Sequence, residues 1–191
     1  MQLKRLFNTT TVKNTYGYID SQKKYEVLRT ILYVLISVSL YVAGYIATKS
    51  NKNFLTIAAV LGVLPSTKSL IGMIMFLRYK SCSVTVFEKI SSAIPETLPQ
   101  LYDLVFTSEK VNFAFSHASY ADKTIYLFTE TDLDEGAFVK HINIYLERTE
   151  LKGVGLQIFK DIDSYLKAIP ESNEEDALAP KVIQLLKEIS L

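Results

Sequence analysis

Few residues in this 191-residue chain have the types and spacing for chemistry. Glu150, Leu151 and Lys152 form a carboxylate-x-lysine fragment. With a second carboxylate on a neighbouring strand, such a fragment can hold Mg²⁺ beside an attacking water while the lysine stabilises developing charge. Here it falls at the end of a predicted helix, where an exposed Glu-x-Lys is commonplace. Cys82 is the single cysteine, and a thiol nucleophile needs a base within reach. It lies in the connector after the second apolar segment and reads as an ordinary reduced cytosolic thiol. His117 and His141 are the only histidines. Regular pairing would place His117 on one strand face with Phe113 and Phe115, as a satisfied structural histidine, and His141 beside Lys140 reads as solvent-facing. There is no glycine-rich phosphate loop, cysteine pair or HExxH, so neither a cofactor nor a metal site is expected.

Composition narrows the class. The chain is 49% hydrophobic with seven Gly, five Pro and one Cys, which excludes a collagen, a disulfide scaffold and a disordered chain. Its net charge of +1 hides a division: residues 1–80 hold 11 basic and 2 acidic side chains, whereas residues 81–191 hold 10 and 18. The acidic second part opposes binding to a phosphate backbone, so nucleic acid is not an expected partner.

The apolar residues concentrate in two segments. Thr30 to Ala47 runs 18 residues without a charge, about 27 Å of helix, close to the hydrocarbon thickness of a bilayer. Asp20 reads as the N-cap of that helix. The 29 largely polar residues before the span, with no evident small-residue cleavage site after it, argue against a cleaved signal peptide. After the polar break Thr48 to Asn53, a second segment covers Phe54 to Leu77, and so short a break demands an antiparallel hairpin. Basic residues flank the hairpin outside its turn, so the positive-inside rule puts both termini in the cytoplasm. The anionic inner leaflet accounts for the basic amino-terminal segment, 1–29, and for the same reason the Asn8-Thr9-Thr10 sequon is discounted.

Within the hairpin, small residues recur at a spacing of four: Ser39, Ala43 and Ala47 in the first helix, and Ala58, Gly62 and Ser66 in the second. Such stripes let helices approach closely in lipid. They either close the hairpin on itself or join hairpins into a homo-oligomer. Lys68 stands about 14 Å from the end of the second helix, where a cation costs about 2.5 to 3.5 kcal/mol unless it finds water or a partner. Beside Pro65, expected to interrupt the helix, and Ser66, it marks a membrane-embedded polar site for a lipid headgroup or partner. The plainer reading is a lysine that snorkels to the interface.

Residues 81–191 read as a small cytoplasmic α/β domain. The pattern predicts a helix over 84–93, strands over 101–107, 111–120 and 124–129, and a helix opened by a capping box at Asp132 and Glu135 and stopped by Gly153. A strand over 154–159, a short helix capped by Asp161, an acidic linker and an amphipathic last helix over 180–189 follow. A strand, a helix and a strand in that order imply parallel pairing, hence a mixed sheet of about four strands. The last helix is expected to dock on its own domain. The overall expectation is an α+β chain: a transmembrane hairpin over 30–80 with spans at 30–47 and 54–77, followed by the domain.

The order helix, meander, helix, strand is compatible with restriction-endonuclease-like domains, whose Glu-x-Lys fragment Glu150 and Lys152 match. The run from Gly44 to Ser81, GYIATKSNKNFLTIAAVLGVLPSTKSLIGMIMFLRYKS, with the strand and helix order after it, resembles uncharacterised two-span membrane proteins of Clostridia-type bacteria. That resemblance implies a bacterial plasma membrane location and supplies no catalytic residues. The expected function is a membrane-anchored interaction or sensory module, with the lipid bilayer and a cytoplasmic protein as partners. The alternative is a membrane-tethered metal-dependent hydrolase using Glu150 and Lys152.

Overall fold

The computed structural model describes residues 12–108, 111–149, 151, 153–170 and 176–191. They form two compact units: residues 19–80, and residues 12–18 together with 81–191. The apolar hairpin is thus inserted into the second unit. The expected amino-terminal segment over 1–29 is thereby divided, because residues 12–18 pack with the domain.

The first unit is a pair of helices. α1 spans Tyr18–Thr48 and α2 spans Phe54–Leu77, and both are long and apolar enough to cross a membrane. α1 starts two residues before Asp20, which sits in the first turn paired with Lys23 at 3.0 Å and is not the N-cap. The turn is built from polar side chains. Asn53 caps α2 by accepting from Thr56 N–H at 2.8 Å, and its amide donates to the Ser50 carbonyl at 2.7 Å. α2 continues through Pro65, so the expected interruption does not occur. The helix ladder loses one donor there and keeps its course.

The helices bury small and polar residues and leave large apolar ones exposed. Thr30, Ser37 and Gly44 are buried in α1, seven residues apart, and Ala59, Ser66, Ser69 and Phe76 are buried in α2. A seven-residue recurrence keeps one seam of a helix facing its neighbour. Gly62 lies on that seam: a Cβ there would stand 2.7 Å from Ser37 Oγ. Ser39, Ala43 and Ala47 are exposed, so the expectation that they close the hairpin is corrected. Ser39 is two helix positions from Ser37 and Ala43 one from Gly44, at about 100° each, which turns them off the seam, whereas Gly62 and Ser66 lie on it and Ala58 is half-buried beside it.

The second unit is a three-layer α/β domain. Its elements are α3 (Val84–Ala93), β1 (Gln100–Thr107), β2 (Asn112–Ala121), β3 (Thr124–Phe128), α4 (Glu135–Arg148), β4 (Gly155–Phe159), α5 (Ile162–Ala168) and α6 (Ala179–Ile189). The four strands form one sheet in chain order, antiparallel except for the parallel β3–β4 pair, which makes the sheet mixed as the element order requires. Asp122 and Lys123, with φ of 47° and 57°, form the two-residue β2–β3 turn, the doubly left-handed geometry that matches strand twist.

On one face of the sheet, α4 and α6 bury Phe138, Ile142, Val182 and Leu186 against Phe106, Phe113, Phe115 and Leu127. On the other, α3 and α5 bury Ile90, Ile94 and Tyr165 against Tyr126 and Phe128. α6 therefore docks on its own domain. The cap of α4 is Asp134, which accepts from Ala137 N–H at 2.9 Å, and not Asp132, which pairs with Lys160 at 3.1 Å. The helix ends at Arg148, before Gly153, whose φ of 85° turns the chain into β4.

The outer edge of β1 is covered by two distant pieces of chain. Tyr102 N–H donates to the Asn14 carbonyl at 2.9 Å, Leu191 N–H donates to the Val105 carbonyl at 2.8 Å, and Phe106 bridges Ser190. Lys13 Nζ donates to the Lys187 and Ser190 carbonyls at 2.7 and 2.8 Å, where α6 leaves carbonyls without helical partners. Asn14, with φ of 61°, donates to Ser190 Oγ at 3.0 Å.

Candidate functional site

Polar chemistry in the hairpin collects around Glu26. Arg29 Nη2 pairs with Glu26 Oε2 at 2.5 Å, and Arg29 Nε donates to Ser69 Oγ across the pair of helices at 3.0 Å. Thr30 and Ser69 hydroxyls share a 2.8 Å hydrogen bond, and Gln22 donates to Glu26 Oε1 at 3.2 Å. Glu26 and Ser69 are 4% and 1% exposed, so the carboxylate and the hydroxyl are withdrawn from the surface, while the Arg29 guanidinium stays partly exposed. Gly72 makes the room: a Cβ there would lie 3.2 Å from Glu26 Oε2. Buried charges persist only when paired and hydrogen-bonded, which is what this arrangement supplies.

Lys68 does not join that cluster. It is exposed, as is Pro65, while Ser66 is buried and its hydroxyl donates to the Gly62 carbonyl at 3.0 Å. The expected site of Lys68, Pro65 and Ser66 is not assembled, because successive helix positions differ by about 100° and turn Lys68 away from the seam that holds Ser66 and Ser69. The residues missed from sequence are Glu26, Arg29 and Ser69. The signal was a lone acid three residues before an arginine at the head of an apolar run.

The domain holds a second buried polar group around β1 and β2. Asp103 has φ of 56°, and the side-chain alternation of both strands reverses at that point. Leu101 and Leu104, three residues apart, both reach the α4–α6 face, and in the partner strand Phe115 and Ala118 do the same. His117 therefore faces away from Phe113 and Phe115, contrary to the regular alternation expected. Its ring packs against Tyr102, tilted by 60° with centroids 4.4 Å apart, and Nδ1 shares a 2.6 Å hydrogen bond with Tyr165 OH. Burial drives the His117 pKa down to about 3. The ring therefore stays neutral at neutral pH and is a weak base.

Asp103 is buried and accepts the Cys82 N–H at 2.8 Å, while Glu130 accepts from Ser83 N–H at 3.1 Å and from Ser116 OH at 2.7 Å. Burial works to raise the Glu130 carboxyl, but the hydrogen bonds from Ser83 and Ser116 outweigh it and leave the group below its ordinary value. These two carboxylates anchor the start of the 81–84 connector. Burial, with Glu130 and Asp103 nearby, pushes the Cys82 thiol up to about 12. A thiol that holds its proton so firmly is no nucleophile at neutral pH.

An open groove of mixed chemistry lies between α4 and the β1–β2 turn. Lys140 and Arg148 are exposed at its rim, and Val111, His141 and Tyr145 line it over Phe113. His141 is half-buried, with its ring 5.9 Å from that of Phe113 and 5.1 Å from that of Tyr145, and so is not the free surface histidine expected. Burial lowers its pKa. Asp134 also lines the groove, with one carboxylate oxygen committed to capping α4. Two cations eight residues apart on one helix, over an aromatic floor, suit an acidic ligand with an apolar part.

Glu150 and Lys152 lie outside the described residues. Leu151 between them is buried, with its N–H donating to the Leu146 carbonyl at 3.0 Å in the connection before β4. Among the described residues, no group of three or more His, Cys, Asp or Glu side chains is placed to hold a metal ion. No family model, curated protein or solved structure matches this chain, so the geometry of its own residues carries the functional reading.

Proposed function

We propose that this protein is a membrane-anchored interaction module, with α1 and α2 as a two-span anchor in a bacterial plasma membrane, both termini in the cytoplasm, and the α/β domain as the part that meets a soluble partner. The observation that carries the reading is the outward apolar surface of both helices. Ile31, Leu35, Val38 and Ile46 in α1, and Ile57, Leu61, Leu64 and Ile71 in α2, are all between 54% and 69% exposed. At about 25 cal/mol per Å² of apolar area, water is a poor solvent for such a surface and lipid is a good one. In lipid, close approach through Gly62 and Ser66 and the polar contacts of Glu26, Arg29 and Ser69 supply the association that the hydrophobic effect cannot.

The groove beside α4 is the surface through which the domain meets its partner. The direct test combines two measurements on the full chain. Alkaline carbonate leaves the protein in the membrane pellet, and a cysteine at Asn51, in a Cys82→Ser background, reacts with an impermeant maleimide only from outside the cell. Release into the supernatant refutes the anchor. Pull-down in mild detergent then recovers a partner that Lys140→Glu with Arg148→Glu loses; equal recovery by that double variant refutes the groove.

One observation favours a second reading, a membrane-tethered metal-dependent hydrolase of restriction-endonuclease-like type. The order α3, β1–β2–β3 meander, α4 and parallel β4 supports it. Mg²⁺-dependent cleavage of DNA or RNA, abolished by Glu150→Ala and by Lys152→Ala, tests it.

A further inference from the structure

The two edges of the sheet are treated differently. β1 is covered by residues 14 and 190–191, as described above, whereas among the described residues nothing pairs with the outer edge of β4. Uncovered edges are templates for strand addition, and soluble domains blunt them with charge, proline or a cover. β4, Gly155-Leu156-Gln157-Ile158-Phe159, has neither charge nor proline.

The backbone directions along β4 are fixed by its bonds to β3. Gly155 N–H donates to the Lys123 carbonyl at 2.7 Å, and the Phe159 carbonyl accepts from Thr129 N–H at 3.0 Å, so residues 155, 157 and 159 turn their polar groups inward. Alternation along a strand then turns the N–H and C=O of Leu156 and Ile158 outward. Their side chains pack only partly against the core under α4 and α6 and stay half exposed.

We propose that β4 pairs antiparallel with β4 of a second copy of this chain, about a two-fold axis at Gln157, to continue the sheet across both domains. The register is dictated by the outward groups. Each Leu156 exchanges both backbone hydrogen bonds with the second copy's Ile158, and Gln157 faces its counterpart in the non-hydrogen-bonded position on the axis. A second copy suits this edge because the run is symmetric in kind about Gln157, with apolar residues opposed to apolar residues on the core face and an amide opposed to an amide on the other. No charge lies between Gly153 and Phe159 to repel its own image. Lys160, next along the chain, is drawn to Asp132 and Glu135 at 3.1 and 3.7 Å. Such an interface is isologous, so it closes at two copies and does not propagate. The inference belongs to the domain and stands whether or not α1 and α2 lie in a membrane.

The test uses the full chain in detergent with Cys82→Ser. Residues opposed in a non-hydrogen-bonded pair have Cα atoms about 4.5 Å apart, within disulfide range. Gln157→Cys, exposed and outside the core, is expected to form a disulfide-linked dimer on mild oxidation, while Lys160→Cys does not. Adding Ile158→Pro, which removes an outward N–H and no bond to β3, is expected to abolish the cross-link. Should that variant fail to fold by circular dichroism, Gln157→Lys sets two cations on the axis and is expected to weaken the dimer at least tenfold in sedimentation equilibrium. A monomeric Gln157→Cys protein overturns the proposal. So does a cross-link that survives Ile158→Pro in a folded protein, or dimerisation unchanged by Gln157→Lys, either of which would move the contact to another face such as Ser39, Ala43 and Ala47.

Discussion

The hairpin and the domain are built on opposite rules from nearly the same alphabet. In the domain, Phe106, Phe113, Phe115 and Phe138 are buried against one another, with ring centroids 4.6 to 5.9 Å apart along the cluster, and among the described charged residues Asp103 alone is buried, held by the Cys82 N–H. In the hairpin, leucine, isoleucine and valine stand outside, while Glu26, Thr30, Ser37, Ser66 and Ser69 are buried. Burying apolar area is favourable only relative to water. Where the surroundings are themselves apolar, helices associate through close contact of small residues and through polar pairs that have no better partner. On the proposed reading of α1 and α2 as a membrane anchor, the contrast reflects two solvents along one chain.

The largest effect should come from emptying the aromatic cluster. Phe138→Ala removes the ring at the centre of the α4 face and is expected to cost the domain about 3 to 5 kcal/mol, read by denaturant unfolding. Leu35→Ala deletes a side chain that is 58% exposed, and its cost to helix packing should fall below about 0.5 kcal/mol. Equal losses from the two would abolish the distinction between the regions. In the hairpin the sensitive position is polar: Glu26→Ala leaves the partly exposed Arg29 beside Ser69 without its carboxylate and should cost about 1 to 3 kcal/mol, seen as a fall in the midpoint of unfolding in detergent. A neutral outcome would mean that Arg29 reaches solvent without its partner.

The domain alone carries a buried histidine, and its pH dependence follows in sign. His117 titrates at an ordinary 6.5 when unfolded and at about 3 when folded. Below 6.5 the unfolded chain binds the extra proton, so stability is fully present above that pH and is lost as pH falls toward 3. Between pH 7 and pH 5 the loss is about 2 kcal/mol, at about 1.4 kcal/mol per unit. His117→Gln should flatten that slope, and an unchanged slope would place the titration elsewhere. A smaller loss than at Phe138 is expected at the clasp on β1. Asn14→Ala removes the bond to Ser190 and places alanine at a φ of 61°, for an expected loss of about 1 to 2 kcal/mol. A melt unaffected by Asn14→Ala would detach residues 12–18 from the domain's cooperative unit.

Local signals were well preserved in the sequence. α2 and α3 occupy the residues their patterns predict, and the strands and the mixed sheet follow from β-branched and aromatic runs, a two-residue turn and one helical crossover. Such features are read within a few residues of one another, where hydrophobic period and capping chemistry act. Sites were less legible. The spacing of four selected Ser39, Ala43 and Ala47, but an antiparallel helix pair holds one seam through a recurrence of seven, and Ser37 and Gly44 answered to that.

Composition, charge division and apolar runs in the chain itself determined that two long helices precede an acidic α/β domain. Only the tertiary structure decided that residues 12–18 belong to that domain, because their partners Tyr102, Ser190 and Lys187 are distant in sequence and no local pattern announces a long-range hydrogen bond. It also decided the direction of His117. A single left-handed residue, Asp103, reverses the alternation of two strands, and backbone conformation of that kind is fixed by the carboxylate's bond to Cys82 across the fold.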